Sequence, residues 1–355
     1  MLPGKYQQLY DDLSTFIPEK RLFTDPLRTL AYGTDASFYR LIPKIVIKAD
    51  SETEVARILQ TADRRNIPLT FRAAGTSLSG QAVTDSVLVI CGGNWNAHEI
   101  LNNGHRIRLQ PGVIGGQANR YLAPYGRKIG PDPASINAAM IGGIAANNAS
   151  GMCCGVAQNS YQTIHSMRIL FHDGTLLDTA DEKSRAHFKQ AHARLFDDIA
   201  QLSESVRANT ELTERIHQKF KIKNTNGYSL NALVDFTDPI DILLHLMIGS
   251  EGTLGFISEI VYNTVVEHPY KASALMIFPN IENACSAAAV LTLAPVAAAE
   301  IMDRASLRSV ENNKGIPSYI KTLSATATAL LVETRAHTIE ELRTNIGKII
   351  QSLEG

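Results

Sequence analysis

Long apolar runs are missing from this sequence. Stretches such as residues 287–293 fall far short of the roughly 18 residues that mark a membrane-spanning helix, and the first ten residues carry Pro3, Lys5, Gln7 and Gln8 where a signal peptide would have an apolar core. One-sided charge is missing too. The 34 Lys and Arg against 35 Asp and Glu leave a net charge of −1, so there is no basic footprint for nucleic acid and no polybasic patch for anionic lipid. Cysteine is scarce: Cys91, Cys153, Cys154 and Cys285 are the only four. The vicinal pair does not readily bridge and no C-x-x-C occurs, so neither a disulfide framework nor a zinc site is expected, and no iron–sulfur spacing is present. The ten histidines contain no H-x-x-H or H-x-E pattern, and no metal is expected. A G-x-G-x-x-G spacing is also absent, which argues against the usual dinucleotide-binding fold. These absences leave a cytoplasmic protein without nucleic-acid partners or a transmembrane segment as the expectation.

What is present is a balanced globular composition, 45% hydrophobic with 24 glycines over 355 residues, too long for one ordinary core. Lys44-Ile-Val-Ile-Lys-Ala49 reads as a strand running into Ser51-Glu-Thr-Glu54, a capping box in which serine and glutamate satisfy each other's amides. Val55, Ile58, Leu59 and Ala62 then recur at helical spacing, and Pro68-Leu-Thr-Phe71 reads as the next strand. Residues 86–90 and 106–110 read as further strands and 115–122 as a helix. His172-Asp-Gly174 between residues 165–171 and 175–179 signals a hairpin, and a polar helical region follows over 182–220. Asp238 before Pro239 marks a helix start, and a strand covers 256–263. Beyond about residue 267 the order is β-α-β-(α)-β-α, which resembles a ferredoxin-like layer short of one strand. That pattern predicts a second domain truncated at its end.

Three glycine-rich segments carry the chemistry. In Ala74-Gly-Thr-Ser-Leu-Ser-Gly-Gln81 the glycines permit positive φ and close approach of backbone to a ligand. Consecutive amides there form a concavity for anionic oxygens, with the Thr76, Ser77 and Ser79 hydroxyls as further donors. Gly75 and Gly80 match the G-x-x-x-x-G spacing of a P-loop, but Gln81 and Ala82 stand where that motif needs Lys and Ser or Thr. The loop is suited to a diphosphate and not to phosphoryl transfer. The other two are the small-residue tract 137–151 and Gly249-Ser-Glu-Gly-Thr-Leu-Gly255. Taken singly each could be an ordinary turn; three together point to phosphate binding.

Phe71-Arg-Ala-Ala-Gly-Thr-Ser-Leu-Ser-Gly-Gln81 resembles the pyrophosphate loop of FAD domains of the vanillyl-alcohol oxidase/PCMH type. Pro131-Asp-Pro133 with Ile141-Gly-Gly-Ile-Ala-Ala-Asn-Asn148 is similar to that family's second flavin loop, and Ile248-Gly-Ser-Glu-Gly-Thr-Leu-Gly-Phe-Ile257 to its third. Within the family, Ala149-Ser-Gly-Met-Cys-Cys-Gly155 and Lys223-Asn-Thr-Asn-Gly-Tyr-Ser-Leu230 resemble the FAD-linked D-lactate and D-2-hydroxyglutarate dehydrogenases that carry a C-terminal iron–sulfur region. The resemblance implies an α+β fold: a two-subdomain FAD-binding domain over residues 1–266, then a partial ferredoxin-like antiparallel cap domain over 267–355. It implies that Arg72, Ala73, Ala74, Gly75, Thr76, Ser77, Leu78, Ser79, Gly80 and Gln81 wrap the diphosphate. Pro131, Asp132, Met140, Gly142, Gly143, Ala146, Asn147 and Ser150 would line the pyrophosphate and isoalloxazine, and Glu251, Gly252 and Ile257 the ribityl and adenine side. Relatives that tether the flavin often place a histidine after the first loop glycine. Here Thr76 follows Gly75, so FAD is expected to be non-covalent, with Cys153 and Cys154 read as inert small residues.

The implied activity is oxidation of a small D-2-hydroxy acid such as D-lactate or D-2-hydroxyglutarate, with hydride passing to flavin N5. Electrons would leave to an iron–sulfur region, a quinone or a soluble carrier, and that acceptor is what could place an otherwise cytoplasmic chain peripherally at the inner membrane face. Such chemistry needs a base and cations for the carboxylate. No base can be named: His187 and His192 read as solvated, and His98 and His245 as packed or surface residues. Met302-Asp303-Arg304 resembles the start of the family's cap, where the pair is as readily structural as catalytic. Two other readings stand beside this one, a catalytically silent FAD-binding module and a same-fold oxidase or reductase of an alcohol, sugar lactone or cell-wall precursor.

Overall fold

A computed structural model describes residue 2 and residues 4–354. Four short strands, β1 (Leu22–Phe23), β2 (Ile45–Ala49), β3 (Leu69–Arg72) and β4 (Val87–Cys91), form one sheet in the order β1-β2-β4-β3. β2 and β3 both run parallel to β4, with Ile47 and Phe71 each opposite Val89. β2 and β3 run in the same direction, which needs a crossover, and the helix Glu52–Asp63 between them supplies it, burying Val55, Ile58, Leu59 and Ala62 at helical spacing. Ser51 Oγ accepts from Glu54 N at 3.2 Å, as expected of its cap. The return arm of the capping box differs. The Glu54 carboxylate accepts from Asp50 N, one residue before the cap, at 2.8 Å and is gripped by both terminal nitrogens of Arg21 at 2.7 and 2.6 Å, a bidentate charged pairing that fixes its orientation.

The second sheet comprises β5 (His98–Leu101), β6 (Arg106–Leu109), β7 (Arg127–Ile129), β8 (Ile164–Leu170), β9 (Leu176–Asp178) and β10 (Phe256–Val266), in the order β5-β6-β10-β8-β9 with β7 also on β10. The Asp-Gly turn closes the antiparallel β8–β9 hairpin with Gly174 at φ +81°. The polar stretch resolves into the helices Glu182–Ala191, Ala193–Ala208 and Thr210–Phe220. The more apolar helix Pro239–Met247, capped by Asp238, is buried at Ile240, Ile242, Leu243, Leu244, His245 and Met247 and fills the core beneath this sheet.

Aromatic packing and a charged network help to join the sheets. Phe256 packs on Phe71 and Trp95, with ring centroids 4.8 and 5.3 Å away. Arg168 on β8 holds Glu52 through two bonds of 2.9 and 2.7 Å and reaches Asp178 at 2.9 Å, while Ser258 Oγ donates to Glu52 at 2.6 Å. The Arg168 guanidinium keeps the Glu52 carboxyl below the usual carboxylate range, against the opposing effect of burial.

The chain divides into two compact units, Met1–Val265 and Val266–Gly355. In the second, β11 (Tyr270–Phe278), β12 (Ala298–Met302) and β13 (Thr328–Ala336) pair antiparallel in the order β11-β13-β12. The helices Ile281–Leu291 and Ile339–Leu353 contribute Ala287, Leu291 and Ile349 to a core with Leu330 and Val332. Asp303 caps the helix Arg304–Val310 through Ser306 N at 2.7 Å. Arg304 is 8% exposed and bonds Glu311 at 3.1 Å, while its Nε and Nη1 have no partner. Asp303 is thus a helix cap, while Arg304 keeps two buried nitrogens without a hydrogen-bond partner.

Candidate functional site

The loop after β3 turns on Gly75 and Gly80, at φ +69° and +78°. Arg72, buried at its root, donates from Nε to Ala82 O at 2.8 Å and from Nη2 to the same carbonyl. Its charge thus closes the loop on itself, and burial lowers its pKa against the pull of Asp35. Ala36 N donates to Gly75 O at 2.9 Å from behind, and Ser79 N donates to Ser77 Oγ at 3.2 Å.

The second segment is pinned from both ends. Gly142 N donates to Pro111 O at 2.9 Å at the start of the helix Ile141–Asn147, and the helix stops at Asn148, which is left-handed at φ 52°. Asp132 Oδ1 accepts from Gly151 N at 2.9 Å and Cys154 N at 3.2 Å, folding the chain back after the helix. The third segment docks on the second: Gly249 N and Glu251 N donate to Ala145 O and Ala146 O at 3.1 and 2.9 Å. Glu251 holds a left-handed φ of 53°, a conformation costing about 1–3 kcal/mol for a residue with a Cβ. Asn147 Nδ2 ties its carboxylate at 2.6 Å, and burial raises its pKa.

These segments enclose one cavity of about 410 Å³. Of the residues singled out in sequence, 72–79, Gln81, Met140, Gly142, Gly143, Ala146, Asn147, Ser150, Glu251, Gly252 and Ile257 line it. Gly80, Pro131 and Asp132 do not line it. Gly80 lies against Tyr39, where a Cβ would come within 2.9 Å of Cδ2, and Asp132 is spent on the backbone amides described above. The wall also takes in Cys91, Pro111, Ser135, Lys223, Thr225, Asn226 and Phe256, none of which the sequence had marked as site residues. Lys223, Thr225 and Asn226 lie in a segment whose likeness to relatives was visible, without any periodicity to show where it points.

Neither Cys153 nor Cys154 is on the wall; Cys154 is buried, its thiol pushed up to about 11. Cys91 faces the cavity, and burial raises its thiol far above the ordinary value. His245 is packed between Phe236 and Tyr161, with centroids 3.9 and 4.9 Å away, and His98 stacks on Tyr121 at 3.6 Å. His187 is exposed. His192 departs from the solvated reading: Nε2 lies 2.9 Å from Asp173 Oδ2 and the ring stacks on Phe188 at 4.2 Å. Among the described residues no cluster of three or more His, Cys, Asp or Glu could hold a metal, and no helix is long and apolar enough to cross a membrane.

The cavity wall fits an extended ligand that approaches main chain closely. A Cβ built on Gly252 would meet nothing within 4 Å, and one on Gly143 only Ala73 Cβ at 3.9 Å. Both glycines line the cavity and have open space where a side chain would stand, while Phe256, Ile257 and Met140 offer apolar surface for a planar ring.

The family model described as an FAD binding domain matches residues 43–180, and that of the C-terminal domain of FAD linked oxidases matches residues 267–355. D-2-hydroxyglutarate dehydrogenase of Pantoea ananatis is 30% identical over 275 residues, which are 72% of this chain and 26% of that protein. Glycolate oxidase subunit GlcD of Escherichia coli is 26% identical over 306 residues, 84% of this chain and 51% of that protein. The chain thus spans only about a quarter to a half of the length of these relatives. A solved alkyldihydroxyacetonephosphate synthase superposes with a TM-score of 0.66 at 16% identity, over 99% of this chain and 60% of that one. That likeness speaks to the fold alone.

Proposed function

The chain belongs to the FAD-linked D-lactate and D-2-hydroxyglutarate dehydrogenase family, and on that premise we propose that its first unit holds FAD non-covalently for oxidation of a small D-2-hydroxy acid. The observation that carries this reading is the convergence of segments 72–81, 140–150 and 251–257 on one cavity. When bound, FAD supplies the two-electron acceptor for the substrate's α-hydrogen. The protein's own part is to bind, orient and exclude water.

In this reading residues 1–266 are the FAD domain and 267–355 belong to the substrate-side domain. The amides and hydroxyls of 75–80 receive the diphosphate, with Arg72 setting the loop's shape through Ala82 O. Gly142, Gly143 and Ser150 admit the cofactor against main chain, and Glu251, fixed by Asn147, closes the opposite wall. Non-covalent binding is supported by Thr76 at the tether position and by the protonated, buried state of Cys154. A cytoplasmic site is supported by four free cysteines. In the whole protein electrons would pass to an iron–sulfur region, a quinone or a soluble carrier.

A second reading has its own observation. Among the described residues lining the cavity there is no histidine, and the carboxylate there, Glu251, is engaged by Asn147. This favours a unit that binds FAD without turning over hydroxy acid by itself. The experiment is to load the chain with FAD, confirm that acid releases free FAD, and add D-lactate or D-2-hydroxyglutarate without oxygen. Bleaching by a D-acid and not by its L-isomer supports the dehydrogenase. A flavin that only dithionite bleaches supports the second reading, and a chain that retains no flavin refutes both.

A further inference from the structure

The segment between the helices Thr210–Phe220 and Ala232–Asp235 presents alternate side chains to two hollows. Lys223, Thr225 and then Asn226 line the main cavity, while Ile222 and Asn224 line a smaller one of about 170 Å³. The Lys223 ammonium donates to Ser150 O. An ammonium has three donors, and this contact, with a neutral carbonyl, uses one. The other charged groups on the described wall are committed: Arg72 to Ala82 O and Glu251 to Asn147. Lys223 therefore brings to the cavity an ammonium held by a neutral carbonyl, with donors left for a ligand.

Its position along the cavity follows from the second segment. The glycine loop meets the helix Ile141–Asn147 near its start, where Ala73 Cβ is 3.9 Å from a Cβ built on Gly143. Ser150 follows the other end of that helix, after the left-handed Asn148. The Lys223 ammonium thus meets the second segment past the end of that helix, whereas the glycine loop meets it near the start.

We propose that the Lys223 ammonium, held by the Ser150 carbonyl, faces the ring system of bound FAD and offsets the negative charge that the ring gains on reduction. The proposal rests on the FAD reading above. A cation within a few ångströms of a developing negative charge in a part-buried site stabilises the reduced form over the oxidised one. Lys223 is in this sense a residue that sets the cofactor's redox poise, and nothing in the glycine loops does the same.

The test is to titrate oxidised and reduced FAD into the full chain, its K223M variant and its K223R variant. K223M is expected to bind oxidised FAD within about threefold of the parent and reduced FAD about tenfold more weakly, equivalent to lowering a two-electron potential by about 30 mV. K223R, which keeps the charge, should stay close to the parent in both. Equal weakening of the two forms in K223M would mean that Lys223 pairs with the diphosphate or only ties down Ser150, and would overturn the proposal. No change in either form would overturn it as well. A parent chain that binds neither form of FAD would instead sink the proposed function.

Discussion

Gly142 and Gly143 are adjacent in one helix, yet a methyl group at each should have opposite consequences. At Gly142 a Cβ would come within 2.7 Å of Pro111 Cβ and 3.4 Å of its Cα and carbonyl oxygen. That proline is also the acceptor for Gly142 N, so it has little freedom to withdraw. Overpacking of this kind costs ~1–3 kcal/mol, against a gain of ~0.5–1 kcal/mol for alanine over glycine in a helix. G142A should lose about 1–2 kcal/mol, or a few degrees in the melting temperature of the first unit. At Gly143 the only neighbour is Ala73 Cβ at 3.9 Å, so G143A should keep the helix gain and melt at or slightly above the parent temperature. Its methyl stands in the cavity, where the same overpacking falls on the ligand and should weaken FAD binding about tenfold to a hundredfold. Thermal melts of the flavin-free chains and a flavin fluorescence titration read the two effects separately. If G143A melts as low as G142A, or binds FAD as the parent does, the assignment of Gly143 to the cofactor wall is wrong.

Three further outcomes follow from other parts of the molecule. The folded pKa of Glu52 is depressed, chiefly by its bonds to Arg168, so its contribution is complete at neutral pH and lost as pH falls through that lowered value. E52Q should cost about 1–2 kcal/mol at pH 7, with the denaturation curves of E52Q and parent converging in acid; parallel curves down to pH 3 would contradict the sign. Arg304 is 8% exposed with Glu311 as its carboxylate partner, whose side chain is 22% exposed. E311M strands a buried cation and should destabilise the second unit by about 3 kcal/mol, whereas R304M leaves an acid that can reach water and should cost less; hydrogen exchange within 267–355 would reveal the reverse ranking if the pair is not coupled. In thiol labelling Cys285 should react first and Cys91 and Cys154 only on unfolding, since the first is exposed and burial raises the pKa of the other two. Rapid modification of Cys154 in the native chain would argue against its inert role.

Local order was largely readable, because short-range chemistry decides it. The Asp-Gly turn before β9, the caps at Ser51 and Asp238, and the apolar spacing of Val55, Ile58, Leu59 and Ala62 each act within a few residues. Pairings that depend on distant partners were less accessible. β1 and β7 are two and three residues long, too short to show a period, and they exist because β2 and β10 offer them a ladder. Glu54 looked like half of a capping box until Arg21 arrived from 33 positions away. The same limit applies at the site. Glycine marks a loop by its own backbone freedom, so the three cofactor segments stood out. Lys223 and Thr225 reach the cavity only through the path of an irregular strap, and the bond by which Arg72, on the cavity wall, holds Ala82 O has no signature in the sequence.

The cavity wall runs from Phe71 to Ile257, so its residues are drawn from more than half of the chain and from both sheets of the first unit. A ligand that needs all of them in place binds the folded chain and not the unfolded one, and mass action then adds about 2.7 kcal/mol at a hundredfold excess over the dissociation constant. That is a substantial share of the 5–15 kcal/mol by which domains are usually stable. Flavin supply should therefore govern how much of this protein a cell keeps: where FAD is short, the unliganded chain spends more time open to proteases, and its abundance falls before any question of turnover arises.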